Sequence, residues 1–223
     1  MIHLIPDVLD KSSLDEVREL VSAAEFVDGK KTAGYRAKRV KNNEQLSSNN
    51  EDAKRARQLV LDRLKSHSLF TQCCLPKMFS GILISKSGVG KGYGLHVDDA
   101  HMKLGSGKIR SDISVTTFLS DDEDYEGGEL EIITPYGATR FKQPAGSVIA
   151  YPSKFLHQVR PVTKGERLVA VCWIQSHIRN EQDREILFEL DQIKRKLNEV
   201  AEDAVETDLA FKVSANLQRR WTE

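Results

Sequence analysis

The chain has 223 residues, enough for one large domain with a substantial core, and its 33 Lys and Arg balance its 33 Asp and Glu. A formal net charge of zero removes any overall electrostatic drive toward nucleic acid or an anionic membrane. The longest apolar run, 168–174, is far shorter than the roughly 20 residues of a spanning helix, the N-terminus has no basic n-region, and three cysteines, two of them adjacent, make no disulfide framework, so a reducing cytoplasm is expected.

Ser13 and Glu16 have capping-box spacing, and Leu14, Val17, Leu20 and Val21 follow at helical intervals, predicting a helix over 13–24. The segment 42–50 is polar and irregular. Over 52–65, Ala53, Ala56, Leu59, Val60 and Leu64 form one stripe of a second amphipathic helix, expected to pack on a sheet. The cations Lys30, Lys31, Arg36, Lys38, Arg39 and Lys41 read as solvated surface.

From Met78 onward short runs at 82–84, 113–119, 130–133, 139–141, 148–151 and 168–174 alternate with Gly, Pro, Asp and Ser, the texture of an antiparallel sandwich or barrel. The Gly- and Ser-rich stretches 86–94 and 100–111 read as loops of the kind that surround a site. Beyond Gln175 charge rises, and Ile186, Leu187, Leu190, Ile193, Leu197 and Val200, then Val205, Leu209 and Phe211, keep helical spacing. The expected organisation is α+β, mainly β: a domain over 1–177 with N-terminal helices, and a helical appendage over 178–223. The appendage's apolar stripe packs on the parent domain, with a homodimer contact as the second reading.

Chemistry concentrates in two places. In an extended chain His96 and Asp98, two residues apart, project from one side and form a bidentate metal platform, with Asp99 and His101 as competitors. Downstream, His157 opens a short strand, Lys164 and Gly165 make a turn, and Arg167 opens the returning strand, so a hairpin brings His157 and Arg167 into one cavity. Two imidazoles and one carboxylate on one face of an octahedral iron(II) leave three positions for a keto acid and dioxygen, whereas structural zinc usually takes four protein ligands. Arg167 is a forked, permanent cation suited to a distal carboxylate.

Four ordered motifs carry a resemblance across nearly the whole chain. They are Gly94-Leu95-His96-Val97-Asp98-Asp99-Ala100; 110–114 with 117–120; Tyr125-Glu126-Gly127-Gly128-Glu129-Leu130; and 151–157 with Gly165-Glu166-Arg167. On these the chain resembles the PKHD-type hydroxylases, including PiuC-like bacterial proteins, within the prolyl 4-hydroxylase-like iron(II)/2-oxoglutarate oxygenases. The resemblance implies a double-stranded β-helix (jelly roll), Fe(2+) held by His96, Asp98 and His157, and 2-oxoglutarate held through its C5 carboxylate by Arg167 and Tyr93. It further implies L-ascorbate as the reductant that restores iron(II), and dioxygen as co-substrate. The primary substrate, peptidyl or small-molecule, is left open. Gly127 and Gly128 are assigned no catalytic role. Rival readings are a non-catalytic jelly-roll metal or ligand sensor, and an isomerase or hydrolase using another metal at the same residues.

Overall fold

A computed structural model describes residues 1–32, 34–47 and 50–223. Helix α1 (Lys11–Ser22) buries Leu14, Val17 and Val21, but its N-cap is Asp10, whose carboxylate accepts from the Ser13 N–H at 2.8 Å. The chain therefore enters the helix before the expected capping box, and Ser13 lies inside the first turn. Helix α2 (Glu51–Ser66) is capped by Asn50 and buries Ala53, Ala56, Val60 and Leu64; Glu51 and Asp52 at its start and Arg63 and Lys65 at its end complement the helix dipole. A short helix, α3 (Ser68–Cys74), follows at once and buries Phe70, Cys73 and Cys74. Of the polar segment 42–50, Lys41–Asn42 and Glu44–Leu46 are short strands, and 48–49 lie outside the described residues.

The core is a jelly-roll-like pair of antiparallel sheets, not a closed barrel. The larger sheet runs in the order His3–Ile5, Val148–Pro152, Ile113–Phe118, Arg167–Ser176, Leu83–Ser87, Glu44–Leu46 and Phe26–Asp28, with Pro76–Phe79 also pairing with Arg167–Ser176. The smaller runs Gly137–Phe141, Leu130–Thr134, Leu156–Val159, Gly92–His96 and Lys41–Asn42. Strand alternation decides which layer each residue joins. Val148, Ala150, Ala170, Cys172 and Ile174 join the core formed with α1 to α3, whereas Ile149, Tyr151, Val169 and Val171 turn toward Leu130 and Ile132 of the smaller sheet. Arg167 shares the parity of Val169 and Val171, which aims it between the sheets.

His157 and Arg167 do not share a hairpin: Leu156–Val159 belongs to the smaller sheet, Arg167–Ser176 to the larger, and Val162–Gly165 between them pairs with Tyr125–Gly127. The stretch 100–111 is not a loop but a hairpin, His101–Leu104 against Gly107–Arg110, whose turn uses the Gly and Ser residues. The C-terminal helices α4 (Glu181–Val200) and α5 (Val205–Trp221) pack on each other, and α4 also touches α3. Arg184 of α4 is buried and donates to the carbonyls of Ile178 at 2.7 Å and Arg179 at 2.9 Å. No helix among the described residues is long and apolar enough to cross a membrane.

Candidate active site

His96 ends the strand Gly92–His96 and is paired with His157 of Leu156–Val159. Three residues further back Tyr93 pairs with Val159, two beyond His157, so the Tyr93 strand carries one extra residue as a β-bulge. The bulge turns Tyr93 and His96 to the same face, where their rings stack at 3.7 Å and 16°. Regular alternation would oppose residues three apart, which is why strand periodicity alone does not reveal this contact.

Asp98 lies just past the strand end, and its side chain is 8% exposed. Its Oδ1 is 4.0 Å from His96 Nε2 and its Oδ2 is 3.8 Å from His157 Nε2. One ligand atom from each of the three lies within 4.8 Å of the others. Both Nδ1 atoms face backbone carbonyls, His96 toward Gly94 O at 2.8 Å and His157 toward Phe155 O at 3.0 Å. That contact places the ring proton on Nδ1 and leaves each Nε2 lone pair directed at the shared space. Burial first, then His157, pushes His96 down to about 4, so it is neutral at physiological pH. Ser114 Oγ donates to Asp98 Oδ2 at 2.5 Å and lies 2.7 Å from Ser153 Oγ, which fixes the carboxylate's rotation. Two imidazoles and an oriented carboxylate, with no thiolate, suit iron(II). Asp99 and His101 are exposed and stand outside this cluster.

The cluster opens into a cavity of about 680 Å³ between the sheets, with Arg167 and Tyr151 on its wall. Arg167 is 4% exposed, and its Nε has no hydrogen-bond partner among the described residues. The groups that act on its charge are the Tyr125 and Tyr151 phenols, with no carboxylate of the described residues among them, and its guanidinium sits 5.8 Å from the Phe118 ring centre. Burial lowers the Arg167 pKa from its ordinary value, while Tyr125 and then Tyr151 oppose that shift. Burial, followed by the charge of Asp98, holds the Tyr151 phenol well above its usual range and so keeps it a donor. A buried cation without a counter-anion is costly, and the site is therefore built to receive an anion.

Several contributors are not singled out by sequence reasoning. Ser114 and Ser153 sit in motifs that carry the resemblance, but only their contact with Asp98 shows what they do. Gly128 backs directly on Arg167. Lys41, expected on the solvated surface, is instead 6% exposed and lines the cavity. Burial lowers its pKa to about 8, with Asp98 and Asp28 opposing the shift.

Residues 82–175 match the family model of the 2OG-Fe(II) oxygenase superfamily. A PKHD-type hydroxylase of Thermosynechococcus vestitus is 46% identical over 223 residues, covering 100% of both chains. Among solved structures, HygX from Streptomyces hygroscopicus with nickel, 2-oxoglutarate and hygromycin B bound shares the fold at TM-score 0.54 and 14% identity, covering 79% of this chain and 84% of that one. A prolyl hydroxylase from Trichoplax adhaerens, in complex with a hypoxia inducible factor peptide fragment, does so at TM-score 0.53 and 15% identity, covering 83% and 86%. On the full-length identity, the chain belongs to the PKHD-type hydroxylases and is a 2-oxoglutarate-dependent dioxygenase of the 2OG-Fe(II) oxygenase superfamily.

Proposed function

We propose that His96, Asp98 and His157 hold Fe(2+), that Arg167 binds the C5 carboxylate of 2-oxoglutarate, and that the enzyme hydroxylates an organic substrate with release of succinate and carbon dioxide. The observation that carries this reading is the pairing, in one cavity, of a three-residue donor cluster with a buried arginine that has no counter-anion. When bound, the metal and keto acid supply dioxygen activation and the oxidising power.

The chain's own residues do the rest. The Nδ1 contacts with Gly94 and Phe155 orient both imidazoles, and Ser114 orients Asp98. Arg167 neutralises the far end of the co-substrate, and the neighbouring phenols of Tyr125 and Tyr151 remain protonated donors beside it. Tyr93 is assigned the same carboxylate by the family resemblance, and its place on the cavity wall beside His96 is compatible with contact to the co-substrate. The apolar wall of Leu130, Val159, Val169 and Val171 excludes water from the reacting centre. L-ascorbate is proposed as the reductant that restores iron(II). A reducing, cytoplasmic setting is proposed from Cys73, Cys74 and Cys172, all free and buried.

The test is visible absorption of the anaerobic iron(II) protein as 2-oxoglutarate is added. A weak charge-transfer band is expected in the wild type and not in His157→Ala. Arg167→Gln should require about ten-fold or more co-substrate for the same band, given the loss of a charged hydrogen bond. Iron-loaded wild type without a band would overturn the assignment.

A further inference from the structure

Lys41 has no role in the chemistry above, yet it is the most deeply placed amine in the cavity. It is 6% exposed and lies on the strand Lys41–Asn42, paired with Tyr93. Its Nζ is 5.2 Å from the centre of the Tyr93 ring, and that ring lies flat on His96. The ammonium therefore stands one aromatic residue away from a proposed metal ligand.

An ammonium has three protons to donate. Among the described residues Lys41 Nζ has one acceptor, Thr32 Oγ1 at 3.2 Å; the carboxylates of Asp98 and Asp28 act on it only through space, without a hydrogen bond. Thr32 in turn donates to Gln45, itself 4% exposed, so the groups hydrogen-bonded around the ammonium are neutral. Beyond Asp98 and Arg167, the charged side chains lining the cavity are Lys31, Lys41, Lys103 and Lys108 against Asp99. In a chain whose formal net charge is zero, that excess is local, and it draws anions toward the cavity.

The co-substrate does not account for it. 2-Oxoglutarate has two carboxylates: the reading above gives the C5 carboxylate to Arg167, and the keto-acid end, with the other carboxylate, would face the His96, Asp98 and His157 cluster. A third anion must come from another molecule. One buried ammonium with a neutral hydroxyl and amide beside it matches a single negative charge better than the two of a phosphate monoester. We infer that the primary substrate presents a carboxylate to Lys41, so that the carbon to be hydroxylated lies between this anchor and the His96, Asp98 and His157 cluster. The inference rests on the oxygenase reading of the site and adds the substrate's chemical class.

The test uses the anaerobic iron(II)–2-oxoglutarate holoenzyme and a panel of monocarboxylates from acetate to hippurate, each beside its neutral amide, with phenyl phosphate as the competing oxyanion. Binding is read from perturbation of the visible band. In wild type the best carboxylate should bind about ten-fold more tightly than its amide and more tightly than phenyl phosphate. In Lys41→Met that ratio should fall to about one, while the 2-oxoglutarate midpoint moves less than about two-fold. Removing a charge that burial disfavours should leave the variant's melting temperature unchanged or raised at pH 7, which separates lost binding from lost folding. Equal affinity for carboxylates and amides, no binding of any carboxylate, a preference that survives in the variant, or tighter phosphate binding would each overturn the carboxylate anchor. A Lys41→Met change that weakens 2-oxoglutarate ten-fold would reassign Lys41 to the co-substrate. Absence of the band in wild type would sink the oxygenase reading itself, so the two failures are distinguishable.

Discussion

Gly128 has a φ of +68°, and a Cβ there would meet Arg167 Cδ, Tyr125 Cε2 and Val162 Cγ2, each at 3.0 Å. An alanine must adopt a backbone conformation that costs about 1–2 kcal/mol for an L side chain. It must also push the stem of Arg167. Gly128→Ala is therefore expected to lose about 1–2 kcal/mol of unfolding free energy in urea and to raise the apparent KM for 2-oxoglutarate several-fold, with a smaller effect on kcat. An unchanged KM would show that Arg167 is positioned from its own strand alone. In the sequence this glycine pair is assigned no catalytic role, because nothing local shows that Gly128 backs on Arg167. The same contrast holds across the site. His96, Asp98, His157 and Arg167 are residue types whose chemistry announces a metal and an anion, and the fold brings them into one cavity. Lys41 is hidden among six cations within twelve positions, because its burial is created by tertiary pairing with Tyr93, not by local pattern. The stacking of Tyr93 on His96 depends on a bulge that strand periodicity cannot show.

At the scale of elements, the seam between the strand His3–Ile5 and α4 carries a pH dependence. The His3 ring meets Phe188 edge-on at 5.2 Å, and burial first, then the N-terminal ammonium and Arg184, lowers its pKa from 6.5 to about 4. The folded protein thus refuses a proton that the unfolded chain accepts. The stabilisation is present above pH 6.5 and is lost as the pH falls from there through about 4. Replacing His3 by Gln should narrow the stability gap between wild type and variant as urea midpoints are taken from pH 7 to pH 4.5. A gap that widens on acidification would show that His3 is stabilised as its cation. The stripes of α1 and α2 are visible because each has a buried and a contrasting face, whereas the runs at 113–119, 148–151 and 168–174, covered on both faces, are visible as short β-branched and apolar stretches between turn signals. Helix α3 escapes because it is short and follows α2 after a single residue. The 101–110 hairpin escapes because Gly105, Ser106 and Gly107 signal a loop and give no sign of the strands on either side.

For the whole molecule, the proposed boundary at 177 separates an oxygenase domain from a C-terminal appendage without making the appendage an independent folding unit. Its first turn is pinned by Arg184, which is 7% exposed and satisfies the Ile178 and Arg179 carbonyls. Its last residue returns to the domain: Glu223 N–H donates to His177 O at 3.1 Å, and its carboxylate meets Arg110 at 2.8 Å. Arg110 also grips Asp112 at 2.6 Å, and Asp112 Oδ2 accepts from the Ser176 N–H at 2.9 Å, so both ends of the appendage are tied to the start of the strand that carries Ser114. By contrast, Ile186, Ile193, Val200, Val205 and Leu209 are exposed, which leaves α4 and α5 too little mutual burial to be stable alone. The full chain is therefore expected to unfold in one calorimetric transition with van't Hoff and calorimetric enthalpies in agreement. Arg110→Ala should lower that single transition by a few degrees, the scale of a loss of about 1 kcal/mol in a chain of this size, without splitting it. A separate low-temperature transition in either protein would mean that the helices melt off an intact oxygenase domain, and the ties through Glu223 would then contribute little to cooperativity.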